Sequence, residues 1–284
     1  MGGPEIRDNP AVCSGRACET DVRIVVKIDD AEAACEVWSS RLARALADLA
    51  GDGHKVTVIH GSAGNTNTER EPPRPTNGVN SQRAESGDQD WISPALKSNK
   101  NLVVCLSAAG LAAFGLSGAD GNLIRTRRRY AWHGQKCDVE IASIDPSWID
   151  LITRHLGIPV ISNLALGPDR RWRSVDADLM AAACAIGWKA DALIFITQFD
   201  ELKDGSGSVI RWIETGASED FLRDSNMPSH FLPKVNACHM ALKQGVHRTR
   251  ILPAAYVASL SKFYCERLEH GAEVILPSES RVLS

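Results

Sequence analysis

Three ionisable residues stand where predicted strands and helices begin or end. Lys27 lies at the end of an apolar strand, Asp178 opens one predicted helix, and Lys234 lies in the first turn of another. Parallel sheets bind ligands where the carboxyl ends of strands face helix amino termini, so a ligand is expected at these positions. Each residue also has a structural interpretation: Lys27 as a strand-end charge facing solvent, Asp178 as a helix cap, and Lys234 as a surface lysine.

The elements that carry these residues alternate between strands and helices. Apolar runs rich in β-branched residues predict strands covered on both faces, and apolar positions at helical spacing predict helices. Strands are predicted at 22–28, 56–60, 111–116, 158–164, 192–197 and 250–252. Helices are predicted at 31–50, 94–109, 146–155, 178–188, 233–245 and 255–270, with a hairpin over 125–141 and loops over 61–93 and 167–175. The alternation predicts an α/β protein with helical layers around a mainly parallel sheet.

Composition restricts both the domain organisation and the partners. The chain of 284 residues, 44% of them apolar, suffices for one large core, so we predict a mobile leader over 1–20 and a single domain over 21–284. Its 32 basic and 35 acidic side chains nearly cancel, which argues against nucleic acid or an anionic membrane as partner and makes any anion site local. The chain has no apolar run of membrane-spanning length and a polar amino terminus, so a cytoplasmic location is expected.

The eight cysteines predict neither a disulfide scaffold nor a metal centre. Cys13 and Cys18 lie close together, but they lack a second Cys or His pair and are a weak zinc signal. We therefore predict no metal-ligating residue. The cysteines inside apolar segments are interpreted as small buried hydrophobes: Cys35, Cys105, Cys184 and Cys238.

Three separated segments form a recognisable pattern. The most specific reads Gly-Leu-Ser-Gly-Ala-Asp-Gly over 115–121, the second joins Val-Asp-Ala-Asp over 175–178 to the strand ending at Thr197, and the third reads Leu-Pro-Lys-Val-Asn-Ala over 232–237. In order and spacing they resemble the acetylglutamate kinases of the amino-acid kinase family. Two weaker similarities are Val-Val-Lys-Ile over 25–28 and His-Gly-Ser-Ala-Gly-Asn-Thr-Asn over 60–67; the latter is similar to carrier-protein-dependent aminoadipate kinases.

The resemblance implies the amino-acid-kinase fold, a three-layer α/β/α sandwich, with a substrate lobe over about 21–170 and a nucleotide lobe over about 171–284. It also implies that the γ-phosphoryl group of ATP, with Mg²⁺, passes to the side-chain carboxylate of an N-acylated acidic amino acid. That reaction would belong to amino-acid biosynthesis of the arginine or lysine type. The substrate would be a small N-acyl amino acid or one linked to a carrier protein, and a homo-oligomer is expected.

The resemblance assigns roles to individual residues. Lys27 and Lys234 would clamp the transferring group and Asp178 would orient both lysines, since phosphoryl transfer depends mainly on positioning and charge neutralisation. Nucleotide contacts are implied for Gly61, Ser62, Thr197, Asp200 and Lys234. Substrate contacts are implied for Gly64, Asn80, Ser174 and Asp176.

Several residues depart from the family pattern where anions should bind. Asp29 and Asp30 replace two glycines, and a carboxylate about 4 Å from a phosphate charge would cost about 4 kcal/mol at an effective dielectric near 20. Ser62 replaces a glycine, and Asn80 stands where an arginine grips the substrate, with Arg83 as an alternative clamp. Two hypotheses follow: a working kinase on a diverged substrate, or a catalytically impaired homologue that binds a metabolite or regulates a sister subunit.

Overall fold

The computed structural model describes residues 21–29, 36–61, 92–129, 138–204, 206–215, 228, 230–262 and 270–277. In chain order the strands are β1 (Arg23–Ile28), β2 (Lys55–His60), β3 (Ala113–Ser117), β4 (Ile124–Arg129), β5 (Asp138–Ile144), β6 (Ile158–Ser162), β7 (Leu164–Leu166), β8 (Trp172–Ser174), β9 (Ala192–Thr197), β10 (Trp212–Glu214), β11 (Arg248–Pro253) and β12 (Ala272–Ile275). The helices are α1 (Glu36–Gly51), α2 (Ile92–Ala108), α3 (Ser147–His155), α4 (Ala177–Trp188) and α5 (Leu232–Lys243), with 3-10 segments at Asp120–Asn122 and Ala254–Lys262.

Eight strands form the main sheet, in the order β10-β12-β11-β9-β1-β2-β6-β3. All neighbours in it are parallel except β11 and β12. Parallel strands place their carboxyl ends at one edge, and the central part of that edge is formed by the ends of β9, β1 and β2. The predicted α/β class with a mainly parallel sheet is confirmed.

Alternate residues of β1 face two separate cores. Ile24 and Val26 pack with α1, α2 and the 3-10 segment 254–262, whereas Val25 packs with α4 and α5. Helices therefore cover both faces of the main sheet, which gives the three layers. Because side chains alternate along a strand, Lys27 shares the face of Val25 and is directed toward α4 and α5.

A second sheet holds four strands in the order β5-β4-β7-β8. The predicted hairpin is confirmed as the antiparallel pair of β4 and β5. The strand predicted over 158–164 is wrong at its end, because β6 stops at Ser162 and the chain continues as β7 in the other sheet. Asn163 fixes this change of sheet, since its side-chain amide donates to Ser174 Oγ and to the Val175 carbonyl. The loop predicted over 167–175 likewise contains β8.

The carboxy-terminal part of the chain differs most from the sequence prediction. The helix predicted over 255–270 is, in its described part, a 3-10 segment, and its buried residues Ala254, Val257 and Leu260 are three apart, which matches three residues per 3-10 turn. The short strands β10 and β12 were not predicted. No helix among the described residues is both long and apolar enough to cross a membrane.

Cysteine burial agrees in part with the prediction. Cys184 and Cys238 are fully buried, and burial raises the pKa of each thiol to about 12. Cys105 is only half-buried. Five cysteines lie outside the described residues: Cys13, Cys18, Cys35, Cys137 and Cys265. The leader over 1–20 also lies outside them, and the division into two lobes stays a prediction.

The glycine-rich motif over 115–121 makes close contacts that a side chain would prevent. A Cβ atom on Gly115 would lie 2.2 Å from Asn99 Oδ1, and one on Gly118 would lie 2.7 Å from the Leu164 carbonyl oxygen. The Gly118 amide also donates to that carbonyl. The motif therefore packs the end of β3 directly against α2 and β7.

We expect Gly118→Ala to lower the free energy of unfolding by about 1–3 kcal/mol, because the new methyl group would overlap the Leu164 carbonyl oxygen and the buried Ile124 side chain. Gly51→Ala is the matched control, since a Cβ atom there meets nothing within 4 Å. Urea denaturation of both variants measures the difference. Equal stability of the two would contradict this account of the motif.

Candidate active site

Two lysines from distant parts of the chain meet at one aspartate. The Lys27 ammonium nitrogen lies 2.7 Å from Asp178 Oδ1, and the Lys234 ammonium nitrogen lies 3.2 Å from Asp178 Oδ2. Lys27 comes from β1, Asp178 from the first turn of α4 and Lys234 from the first turn of α5. The structure thus brings the three residues predicted to be catalytic into direct contact near the carboxyl ends of the strands.

All three side chains are removed from solvent. The exposed fraction is 5% for Lys27, 6% for Lys234 and 8% for Asp178, so the interpretation of either lysine as a surface charge is wrong. Burial alone would lower the pKa of Lys27, but the carboxylates of Asp178 and Asp29 outweigh burial and raise that pKa above its ordinary value. Lys27 therefore carries its positive charge at neutral pH.

Asp29 is a fourth member of this cluster. Its Oδ1 atom accepts hydrogen bonds from the Lys27 ammonium at 2.5 Å and from the Lys234 ammonium at 2.9 Å. Burial would raise the pKa of Asp29, but Lys27 and Lys234 lower it below its ordinary value. Two positive and two negative side chains therefore balance one another in one buried cluster.

Asp176, rather than Asp178, caps α4. Its Oδ1 atom accepts from the backbone N–H groups of Asp178 and Leu179, at 2.9 Å each. The interpretation of Asp178 as the cap is therefore wrong, and its carboxylate is available to the lysines. Ser174, two residues earlier, accepts from Asn163 at 3.0 Å. Ser174 and Asp176, both implied as substrate contacts, lie together at the entry to α4.

His60 and Asn99 form a buried hydrogen-bonded pair next to Gly61, one of the residues implied as nucleotide contacts. His60 Nδ1 lies 2.6 Å from the Gly61 carbonyl, and His60 Nε2 lies 3.0 Å from Asn99 Nδ2. Because the asparagine nitrogen is a donor, Nε2 accepts and Nδ1 carries the proton. Burial lowers the pKa of His60 to about 4, with a further contribution from Lys27, so the ring is neutral at pH 7. This neutral ring fixes the backbone at Gly61.

Thr197 and Asp200 lie together at the carboxyl end of β9. Both line a small cleft, which is also bordered by Phe231 at the start of α5. Phe199 stacks on His230, with ring centroids 3.5 Å apart. This stack joins the segment after β9 to the residues before α5, so the cleft adjoins the helix that carries the second lysine.

A larger cleft lies at the opposite edge of the main sheet. Its volume is about 530 Å³, and it is bordered by the amino-terminal ends of β2 and β6. Its cations Lys55 and Arg154 contact the carboxylates of Asp21 and Asp150. Because this cleft adjoins the carboxyl ends of α1 and α3 rather than helix amino termini, it is less suited to a phosphate than the lysine cluster, despite its size.

Four residues singled out from the sequence lie outside the described residues, and their roles stay predictions: Ser62, Gly64, Asn80 and Asp30. Two residues near the site, His60 and Asn99, were not predicted. A signal for Asn99 was present, because this polar residue stands at helical spacing between the buried Ala95 and Leu102.

Comparison with known proteins decides the family. The sequence model of the amino acid kinase family matches residues 23–253 of this chain. The chain belongs to the amino acid kinase family. The resemblance to acetylglutamate kinases is also confirmed by relatives of that name. The acetylglutamate kinase of Acidobacterium capsulatum is 36% identical over 237 residues, which cover 82% of this chain and 91% of that protein. The acetylglutamate kinase of Koribacter versatilis is 31% identical over 258 residues, 89% of this chain and 99% of that protein.

Solved structures of amino acid kinase fold confirm the architecture. N-acetylglutamate synthase from Neisseria gonorrhoeae, complexed with coenzyme A and N-acetyl-glutamate, superposes with a TM-score of 0.71 at 17% identity over 91% of this chain. This chain spans only 60% of that synthase. An isopentenyl phosphate kinase superposes with a TM-score of 0.56 at 16% identity, over 89% of this chain and 100% of its own. At these identities the likeness concerns the fold alone.

In this amino acid kinase we expect Asn99→Ala to lower the free energy of unfolding by about 2–3 kcal/mol, because it leaves buried acceptors without a donor. The lost bonds are those to His60, at 3.0 Å, to the Val160 carbonyl, at 2.9 Å, and to the Leu116 carbonyl, at 3.3 Å. Lys97→Ala, at an exposed position of the same helix, should change stability little. Urea unfolding at neutral pH compares the two variants, and similar losses in both would refute this account of the hydrogen-bonded pair.

We expect acid to destabilise the protein through His60. Its pKa is about 4 in the folded protein and about 6.5 when unfolded, so between these values only the unfolded chain binds the proton. The stabilisation present above about pH 6.5 is therefore lost as pH falls toward 4, by about 2 kcal/mol at about pH 5. His60→Gln should lose correspondingly less stability between about pH 7.5 and about pH 5. Parallel pH dependence of the two proteins in urea denaturation would disprove this role.

Proposed function

We propose that this chain is a kinase that transfers the γ-phosphoryl group of ATP to the side-chain carboxylate of N-acetylglutamate or a closely similar N-acylated acidic amino acid. Such a reaction belongs to the biosynthesis of arginine. The observation that carries the proposal is the convergence of Lys27 and Lys234 on Asp178, with both ammonium groups buried. The relatives named acetylglutamate kinase support the choice of substrate.

The charge arrangement suits phosphoryl transfer. A carboxylate oxygen of the substrate attacks the γ-phosphorus, the bond from phosphorus to the β,γ-bridging oxygen breaks, and ADP leaves with the electron pair. The product is an acyl phosphate. Negative charge spreads over the phosphoryl oxygens as the bonds change, and two fixed ammonium groups in a buried site stabilise that charge strongly. Asp178 keeps both lysines directed at the same point.

The nucleotide is assigned to the carboxyl end of β9. Thr197 and Asp200 border the cleft there, and the adjoining α5 presents its amino terminus, which favours phosphate. Mg²⁺ usually binds through one or two carboxylates together with substrate phosphates. Asp29 and Asp178 have suitable oxygens, but both are engaged by ammonium groups, so the ion is proposed to enter with ATP and to neutralise phosphate charge.

The substrate is assigned to the region before α4, with Ser174 and Asp176 as the described candidates. Gly64 and Asn80 complete the proposed set. We favour a free N-acyl amino acid over a carrier-protein-linked one, because the named relatives act on acetylglutamate. A homo-oligomer and a cytoplasmic location stay predictions.

A catalytically impaired, metabolite-binding homologue is the second candidate. It is favoured by one observation: Asp29 already contacts both ammonium groups that a phosphoryl group would need. Turnover separates the two candidates. An impaired homologue would show neither acyl phosphate formation nor ATP binding by calorimetry.

We expect Lys27→Met and Lys234→Met each to lower the rate of acyl phosphate formation by about 100-fold or more, because each removes one of two charges that stabilise the transferred group. The assay traps the acyl phosphate as a hydroxamate, with ATP, Mg²⁺ and a panel of N-acyl acidic amino acids. Lys243→Met is the matched control, since Lys243 is exposed at the far end of the same helix as Lys234. Wild-type turnover that survives both substitutions would exclude the proposed role of the lysines.

A further inference from the structure

Asp29 occupies the space between the two ammonium groups. One oxygen, Oδ1, is shared by the Lys27 nitrogen at 2.5 Å and the Lys234 nitrogen at 2.9 Å. A phosphoryl oxygen held by both lysines would need ammonium N–H donors that Asp29 and Asp178 already engage. Asp29 and a doubly held phosphoryl group therefore compete for the same donors.

The cluster as it stands has little attraction for an anion. Lys27 and Lys234 contribute two positive charges, and Asp29 and Asp178 contribute two negative charges. A polyphosphate that reached this neutral cluster would meet the Asp29 carboxylate between the two ammonium groups. Removal of that carboxylate gives the cluster a net positive charge of one.

Asp29 is held less firmly than Asp178. Asp29 contacts both lysines through a single oxygen and lies just beyond the last strand pairing of β1, at Ile28. Asp178 uses both oxygens and stands in the first turn of α4, whose amino terminus is capped by Asp176. The backbone of Asp29 is therefore outside the strand ladder, whereas the backbone of Asp178 is held in the first turn of a capped helix.

We propose that Asp29 is a displaceable internal anion: it pairs with Lys27 and Lys234 in the free protein, and phosphoryl oxygens replace its carboxylate when a polyphosphate binds. The identity of that polyphosphate as ATP rests on the proposed function, but the displacement itself does not. The device selects for ligands of high negative charge. A singly charged carboxylate gains too little from the lysines to replace one that is already tethered to the chain.

The test measures binding of inorganic pyrophosphate by isothermal titration calorimetry, without metal. Asp29→Asn keeps the shape of the side chain but removes its charge, so we expect it to bind pyrophosphate about tenfold more tightly than the wild type, or better. Asp29→Glu keeps the charge and should stay close to the wild type. Asp21→Asn is the matched control, because Asp21 is an exposed aspartate at the other end of β1 that pairs with Lys55.

Unchanged or weaker pyrophosphate binding by Asp29→Asn would overturn the proposal, since a competing anion must raise affinity when it is removed. A crystal structure of the wild type with pyrophosphate gives a second test that needs no variant to fold. There the Asp29 carboxylate must have left at least one ammonium group, and retention of both contacts with pyrophosphate bound overturns displacement. Tighter binding by the variant, without acetylglutamate turnover by the wild type, would reject the proposed function and keep this inference.

Discussion

The contact of two buried ammonium groups with one aspartate is the constraint on which the rest of the structure depends. A buried charge without a partner costs several kcal/mol, so β1, α4 and α5 must hold Lys27, Asp178 and Lys234 within hydrogen-bonding distance. This requires both helices on one face of the sheet and β1 beside β9 at its centre. The three-layer architecture meets both requirements, since alternate residues of β1 are shared between its two cores.

Much of this architecture is predictable from the sequence, because central strands of a parallel sheet are apolar along their whole length. Thus β1, β2 and β9 were predicted to within one residue at each end. The short edge strands β10 and β12 were not, since their extent is set by pairing with neighbours rather than by their own pattern. The passage from β6 to β7 depends on Asn163 bonding to residues eleven and twelve positions later, which a local pattern does not reveal.

The site is predictable in its residue types but not in its contacts. Motif positions identified Lys27, Asp178 and Lys234, and strand alternation explains why Lys27 faces the helices. The environment of Asp29 could not be read in this way, because a carboxylate after β1 was expected only to repel phosphate. Its side chain instead satisfies two ammonium groups. His60 and Asn99 were likewise missed, since 39 residues separate them in sequence.

Charge balance explains why an aspartate can stand where the family pattern has glycine. With glycine, two buried lysines would share the single carboxylate of Asp178, and the excess positive charge would destabilise the free protein while attracting anions. With Asp29 the cluster is neutral, so the free protein is more stable and an anion must compete for the lysines. With Asp29, more of the favourable electrostatic free energy of the two lysines is gained when the protein folds. With glycine, more of it is gained when an anion binds. A departure from the motif at this position therefore changes the strength of anion binding without removing the two lysines that direct it.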